Sequence, residues 1–263
     1  MKKYFALLLA VLMLAGCLCA CGGGSDKEKF VVGFDAAFPP YGYQNEKGEY
    51  VGFDLSLAEE VCKRNNWELV KKPIDWNSKD QELNTGAVSC IWNGFTMNGR
   101  EDLYTWTEAY VDNSQVFVVK KDSGITDFAG LAGKIVAVQA DSSAEAALTS
   151  TEDNAANLAL AATFKQLMKV GEYNTAFMNL DAGAVQAIAM DIGVAQYQIA
   201  QRGDKFVILN QVLAAEQYGI GFKKGNTELR DKVQATLDAM VADGTFTKIA
   251  KDWGLEDSVC LGK

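Results

Sequence analysis

Between Lys29 and Trp92, apolar runs of strand length alternate with segments of helical spacing, and this alternation narrows the possible folds more than any other feature of the chain. Lys29–Phe34 (KFVVGF) reads as a strand. Leu55, Ala58, Val61 and Cys62 then repeat at helical spacing, with Asp54 placed to cap the helix. Trp67–Lys72 is a second strand, a short helix follows over Ser78–Asn84, and Ala87–Trp92 is a third strand. Such an order predicts a parallel sheet with right-handed crossovers. Ligands of these sheets sit beyond the carboxyl ends of the strands. Asp35, Trp76 and the stretch Asn93–Arg100 each follow a strand end, so they should share one rim although they are far apart in sequence.

The stretch Ile91–Arg100 (IWNGFTMNGR) offers the most chemistry. An apolar strand ends at Trp92 and opens into Asn93 and Gly94, then Thr96, then an Asn98-Gly99 turn, and closes on Arg100. A guanidinium is a rigid fork of donors that can meet both oxygens of a carboxylate. The plainer alternative is a strand, a turn and a surface arginine. Asp35 has two readings, a loop residue capping a turn or a polar contact to a ligand. Trp76 lies beyond a strand end among polar neighbours, which suits a stacking wall, whereas Trp92 belongs to the core. Pro39 and Pro40, just after Phe38, forbid further regular pairing there and stiffen the loop.

A second alternation follows the strand Val116–Lys120. It starts at Ile135–Val138, after the glycine-punctuated segment Gly130–Lys134. Asp141-Ser142-Ser143 then open a helix from Ala144. Free N–H groups and the helix dipole suit an anion there, although helix capping by Ser or Asp is the commoner role of such residues. The segment Ser150–Asn157 reads as a polar loop. Further on come a strand at Phe164–Val170, a helix at Asn174–Ala182, a strand at Val185–Met190 ending on Asp191, and a helix at Val194–Gln201. Lys205–Leu209 and Gln217–Phe222 read as two separate strands, before the helices Thr227–Asp243 and Phe246–Asp252. The expectation is two α/β lobes in series, with the segment after Gln217 returning to the first.

Charge and composition exclude several functions. The net charge is −9 and no basic stretch follows the first three residues, so no nucleic acid partner is expected. There is no histidine, which removes His-based acid–base catalysis and His-ligated metals. Cys62, Cys90 and Cys260 match no metal motif, and Cys62 and Cys90 read as small buried hydrophobes. An odd number leaves at least one thiol without an intramolecular partner. Neither a metal nor a cofactor is expected.

Met1–Cys21 reads as a targeting segment. Lys2 and Lys3 precede an apolar run, Tyr4–Leu14, too short to span a bilayer. Leu14-Ala15-Gly16-Cys17 resembles the lipobox of bacterial lipoproteins, which implies loss of residues 1–16 and a diacylated Cys17; Cys21 is the alternative acceptor. An ordinary cleaved signal with incidental cysteines is the other reading. Gly22–Ser25 lies within a flexible tether over residues 17–29. Anchor and tether together would hold the domain at the outer face of a bacterial cell membrane.

Taken together, Phe34–Tyr41 (FDAAFPPY), Tyr50–Asp54 (YVGFD), Asn93–Arg100 (NGFTMNGR), Val136–Ser143 (VAVQADSS), Ala189–Asp191 (AMD) and Gln217–Phe222 (QYGIGF) resemble, in order, the family 3 extracytoplasmic solute-binding proteins of polar amino acid ABC importers. That group includes the glutamine- and histidine-binding proteins. The resemblance implies the two-lobe type II periplasmic-binding-protein-like α/β fold with two hinge strands. Lobe one would be 30–112 and 218–263, and lobe two 113–217. It implies a monomer that binds a free L-amino acid and hands it to an ABC permease. In the family pattern Arg100 pairs with the ligand α-carboxylate, assisted by the Thr96 hydroxyl and the Ser143 amide. Asp191 and the Gly94 carbonyl take the α-ammonium, and Phe38 and Trp76 cover the side chain. Asp35, Asn93, Gln139 and Ser142 complete the expected set. Both charges of a zwitterion need partners once water is excluded.

Two departures stand out. The Thr96–Arg100 interval is one residue shorter than usual, a difference the Asn98-Gly99 turn would absorb. Gln139 stands where the glutamine binder has lysine, and Met190 precedes the aspartate, so specificity does not carry over. Phe38, Trp76 and Gln139 suit a polar or bulky neutral side chain. The rival functions are an enzyme on the same fold, such as a dehydratase with Asp35 or Glu216 as acid, and a ligand-sensing module acting through a separate partner. No histidine and no nucleophile motif support the enzyme, so none is expected.

Overall fold

Parallel strands covered on both faces need near-continuous apolar runs, and the runs found in the sequence become the centre of one nine-stranded sheet. The computed structural model describes residues 27–151 and 155–263. The targeting segment, Cys17, Cys21 and most of the tether lie outside these residues. In the first half, strands β1 (Lys29–Phe34), β2 (Ala37–Phe38), β3 (Gly42–Gln44) and β4 (Tyr50–Val51) lead into helix α1 (Phe53–Arg64). Then follow β5 (Glu68–Pro73), α2 (Lys79–Thr85), β6 (Cys90–Thr96), β7 (Tyr104–Trp106) and β8 (Val111–Lys120). The second half contains β9 (Ile135–Gln139), α3 (Ser143–Thr149), α4 (Ala155–Ala161), β10 (Gln166–Val170), α5 (Tyr173–Ala182), β11 (Ala187–Asp191) and α6 (Ile192–Arg202). The chain ends with β12 (Phe206–Lys223), α7 (Thr227–Ala242) and α8 (Thr245–Asp252).

Strand order is β10-β9-β11-β8-β12-β6-β1-β5, with β7 also paired to β12. The pairs of β1 with β5 and β6, and of β9 with β10 and β11, are parallel, as the alternation predicts. β8 and β12 run antiparallel to each other and join the two parallel halves. The prolines do not end pairing. Pro39 and Pro40 sit in the turn of a small hairpin in which Ala37 faces Tyr43 and Phe38 faces Gly42.

Three further readings change. β12 is one strand of 18 residues, not two. Its polar middle looks like a loop because Asn210, Gln211 and Val212 are exposed, yet no Gly or Pro interrupts it and β8 pairs the strand on either side, at Phe206–Ile208 and again from Val212 to Tyr218. Register shifts near Val212 mark the irregular part. β6 runs on to Thr96, past the expected end at Trp92, because β12 keeps pairing it: Phe95 faces Gly219 and Thr96 faces Tyr218. Its pairing to β1 stops at Ile91, so one edge of its last five residues is open. Finally, α4 occupies part of the segment expected to be a loop.

The main core joins both halves, with Phe34, Trp92, Tyr110, Val118, Ile188 and Tyr218 among its buried members. Burying each such side chain contributes about 1.5–3 kcal/mol. Cys62 and Cys90 are buried free thiols, and burial pushes the Cys62 thiol up to about 12. Among the described residues no helix is long and apolar enough to cross a membrane.

Candidate functional site

The open edge of β6 forms one wall of a cavity. Phe38, Trp76, Asn93, Gly94, Thr96 and Arg100 line it from the first half of the chain, and Gln139, Ser142, Ser143 and Asp191 from the second. Its volume is only about 20 Å³. The walls are therefore drawn almost into contact. Several links hold them: Gln139 Nε2 donates to Asp35 Oδ2 at 2.7 Å, the Thr96 and Ser143 hydroxyl oxygens lie 3.2 Å apart, and Arg100 Nη2 donates to the Asp141 carbonyl at 3.3 Å. Buried Lys79 forms an ion pair with Asp141, and Tyr197 donates to Tyr43 at 3.1 Å.

Gly94 is shaped by a residue read differently from the sequence. Asp54 does not cap α1, whose N-cap is Gly52. It is fully buried, and its Oδ2 accepts the Gly94 N–H at 2.6 Å. Burial pushes its carboxyl up to about 7 against the pull of that bond. Gly94 has φ +55°, and a Cβ there would lie 2.9 Å from Phe38 Cε1 and 3.0 Å from Tyr218 Cε2. Both strain and collision oppose a side chain. Gly94→Ala is expected to lose about 2 kcal/mol of stability, read as a lower denaturant midpoint with unchanged slope.

The short Thr96–Arg100 interval is a turn in which the Arg100 N–H donates to the Met97 carbonyl at 2.9 Å, with Gly99 at φ +73°. This folds the arginine back: Nη1 donates to the Thr96 carbonyl at 3.3 Å, and the guanidinium lies 5.3 Å from the Phe95 ring centre. Among the described residues no carboxylate forms an ion pair with Arg100. Its partners are backbone carbonyls, which neutralise nothing. Trp76 is both wall and core: it lines the cavity while packing edge-on against Phe95 at 5.4 Å.

Gln139 ends β9, one residue past the expected strand Ile135–Val138. Behind it, Asp35 accepts from the Ala37 N–H at 2.8 Å as well as from Gln139. It thus caps its own turn and orients the glutamine, and it is absent from the cavity lining. Burial raises its carboxyl. Ser142 caps α3 by accepting the Glu145 N–H at 3.1 Å, so the capping role is present, and it lines the cavity as well.

Asp191 ends β11 within a network that the sequence did not reveal. Its Oδ1 accepts from Tyr218 at 2.6 Å, Gln115 at 2.7 Å and Asn113 at 3.0 Å, and Oδ2 from Tyr173 at 3.3 Å. Burial raises its carboxyl. Glu216 joins through the same two amides. Burial and the charge of Asp191 push Glu216 up to about 7. Asn113 and Gln115 alternate on β8, a period-two signal that could have put both on one face.

Folding stability should carry the mark of these acids. Asp54 and Glu216 rise to about 7 from 3.8 and 4.5, and Asp35 and Asp191 shift the same way. The native state then holds protons that the unfolded chain gives up, so stability falls as pH rises between those values. The contribution is complete below about pH 4 and lost through about pH 7. Thermal midpoints are expected to be higher at pH 5 than at pH 8, checked by melting across that range.

A cavity between two parallel-sheet halves, joined by two crossing strands, defines the class: a type II periplasmic-binding-protein fold. Residues 30–256 match the model of the bacterial extracellular solute-binding proteins, family 3, and the chain belongs to that family. It is 28% identical to the arginine-binding extracellular protein ArtP of Bacillus subtilis, over 96% of this chain and 98% of that one. A substrate-binding protein of an ABC uptake transporter from Streptococcus pneumoniae, solved with bound histidine, superposes with a TM-score of 0.81 at 30% identity, covering 88% of this chain and 94% of that one. An ancestral arginine-binding protein bound to glutamine gives 0.78 at 31%, covering 88% and 99%.

Proposed function

We propose that the protein captures a free L-amino acid in this cleft and delivers it to the permease of an ABC importer. The observation that carries this reading is the pairing in one cavity of a guanidinium without a carboxylate partner, Arg100, and a buried carboxyl, Asp191, from opposite walls. Those charges match the two ends of a zwitterion. Thr96 and Ser143 assist Arg100, the Gly94 carbonyl assists Asp191, and Phe38, Trp76, Gln139 and Asn93 meet the side chain. That side chain is polar or bulky and neutral. ArtP is named for arginine, and the two solved neighbours hold histidine and glutamine. The walls are too close for an amino acid to enter without parting. The lobes, 30–112 with 218–263 and 113–217, therefore hinge along β8 and β12.

The mature protein acts as a monomer tethered by lipid on Cys17, or on Cys21, outside the cell membrane. Incorporation of labelled palmitate that is lost in Cys17→Ser supports the first site; retention of all label there points to Cys21. Calorimetry against the twenty amino acids and cystine tests the function. Binding without consumption is expected, and no binding at all, or turnover of the ligand, would overturn it.

A further inference from the structure

Glu216 is a buried acid that the clamp just described does not use. It lies on β12 opposite Asn113 of β8. Its Oε1 accepts from Asn113 Nδ2 at 2.6 Å, Gln115 Nε2 at 2.8 Å, Thr96 Oγ1 at 3.0 Å and Ser143 Oγ at 3.3 Å. The same two amides bond Asp191 Oδ1, so the two carboxyls stand side by side across shared donors. Among the described residues no lysine or arginine forms an ion pair with either. The other titratable groups facing them are the phenols of Tyr41, Tyr173 and Tyr218, all raised by burial and therefore neutral, and, across the groove that Glu216 lines, Arg100 and Glu101, neither ion-paired with it. Two adjacent carboxyls in such surroundings cannot both ionise cheaply, and the pair retains a proton.

Glu216 has a second aspect. It also lines a groove of about 570 Å³ shared with Arg100, Glu101 and Ser143. A proton on Glu216 thus has a path to solvent along this groove.

We propose that Glu216 is a carboxyl behind the ammonium subsite, coupled to Asp191 through the two shared amides, and that it releases a proton when an α-ammonium seats against Asp191. This rests on the reading of the cleft given above. The incoming ammonium keeps its three hydrogens. The Glu216 O–H bond breaks with its electron pair left on the carboxylate, and the proton passes through the groove to buffer. Capture is therefore favoured by rising pH, opposite in sign to the effect of these acids on folding stability.

Titration calorimetry in phosphate and in Tris, whose ionisation enthalpies differ, counts the protons. With L-arginine and L-glutamine as probes at pH 7, the wild type is expected to release roughly half a proton per ligand bound, and its affinity to fall about tenfold from pH 8 to pH 6. In Glu216→Gln the release disappears and the slope flattens, whatever the affinity. Binding by the wild type without proton release, or equal release by Glu216→Gln, would overturn the proposal and leave the function standing. Failure of both probes and of the remaining amino acids to bind would overturn the reading of the cleft, and this proposal with it. Should the variant fold poorly, carbon-13 spectra of glutamate-labelled wild type decide. One glutamate carboxyl titrating near neutrality, and held ionised by ligand, is expected; glutamates titrating only in the ordinary acidic range would contradict it.

Discussion

Arg100→Ala is expected to weaken binding of the preferred amino acid by at least roughly a hundredfold while leaving the protein folded. Removing one partner of a desolvated, hydrogen-bonded charge pair costs about 2–5 kcal/mol, or roughly 30- to 5,000-fold in affinity. The upper part of that range applies because the carboxylate would be left in a cleft whose other donors are neutral. Little stability is at risk: Arg100 is only partly buried, and its two side-chain bonds, both 3.3 Å, go to backbone carbonyls. Arg100→Lys should recover only part of the loss, since an ammonium cannot span both carboxylate oxygens. Calorimetry alongside a thermal melt separates binding from folding, and wild-type affinity in Arg100→Ala would place the carboxylate elsewhere.

Asp191→Asn is expected to have an effect of the same order on binding and the opposite effect on stability. The α-ammonium would lose its anionic partner and meet an amide whose nitrogen repels it. The native protein, in contrast, is relieved of one of two adjacent buried carboxyls, both shifted upward by burial. The variant should melt no lower than wild type at pH 8, where both acids are costly, and the advantage should shrink toward pH 5. Such a gain in stability with a loss of function is the usual sign of a site held in tension for its ligand. A variant that binds normally, or one that melts much lower at pH 8, would count against the charge pattern described.

The sequence carried the parallel halves and the rim of the cleft well, because both rest on local signals. Apolar runs mark β1, β6, β9 and β11, and the functional groups sit at or near their carboxyl ends: Asn93, Thr96, Gln139 and Asp191 all line the cavity or end a strand that does. It carried the two crossing strands poorly. β12 passes through polar, exposed residues that look like a loop when read alone, and pairing with β8 on either side of them carries the strand through. Asn113, Gln115 and Glu216 belong to those two strands, so the network around Asp191 stayed hidden with them. Asp54 was misread for a different reason. An acid ahead of a helix usually caps it, and nothing local tells that its carboxylate reaches Gly94, forty positions away.

The central claim is that the cleft grips both charges of an α-amino acid. It is tested most directly by comparing the best-bound amino acid with its methyl ester and its des-amino analogue in one calorimetric series. The account predicts that each analogue binds at least roughly a hundredfold more weakly than the parent. If either analogue binds with the affinity of the parent, the corresponding half of the clamp, Arg100 or Asp191 with Glu216, does not do what is described here.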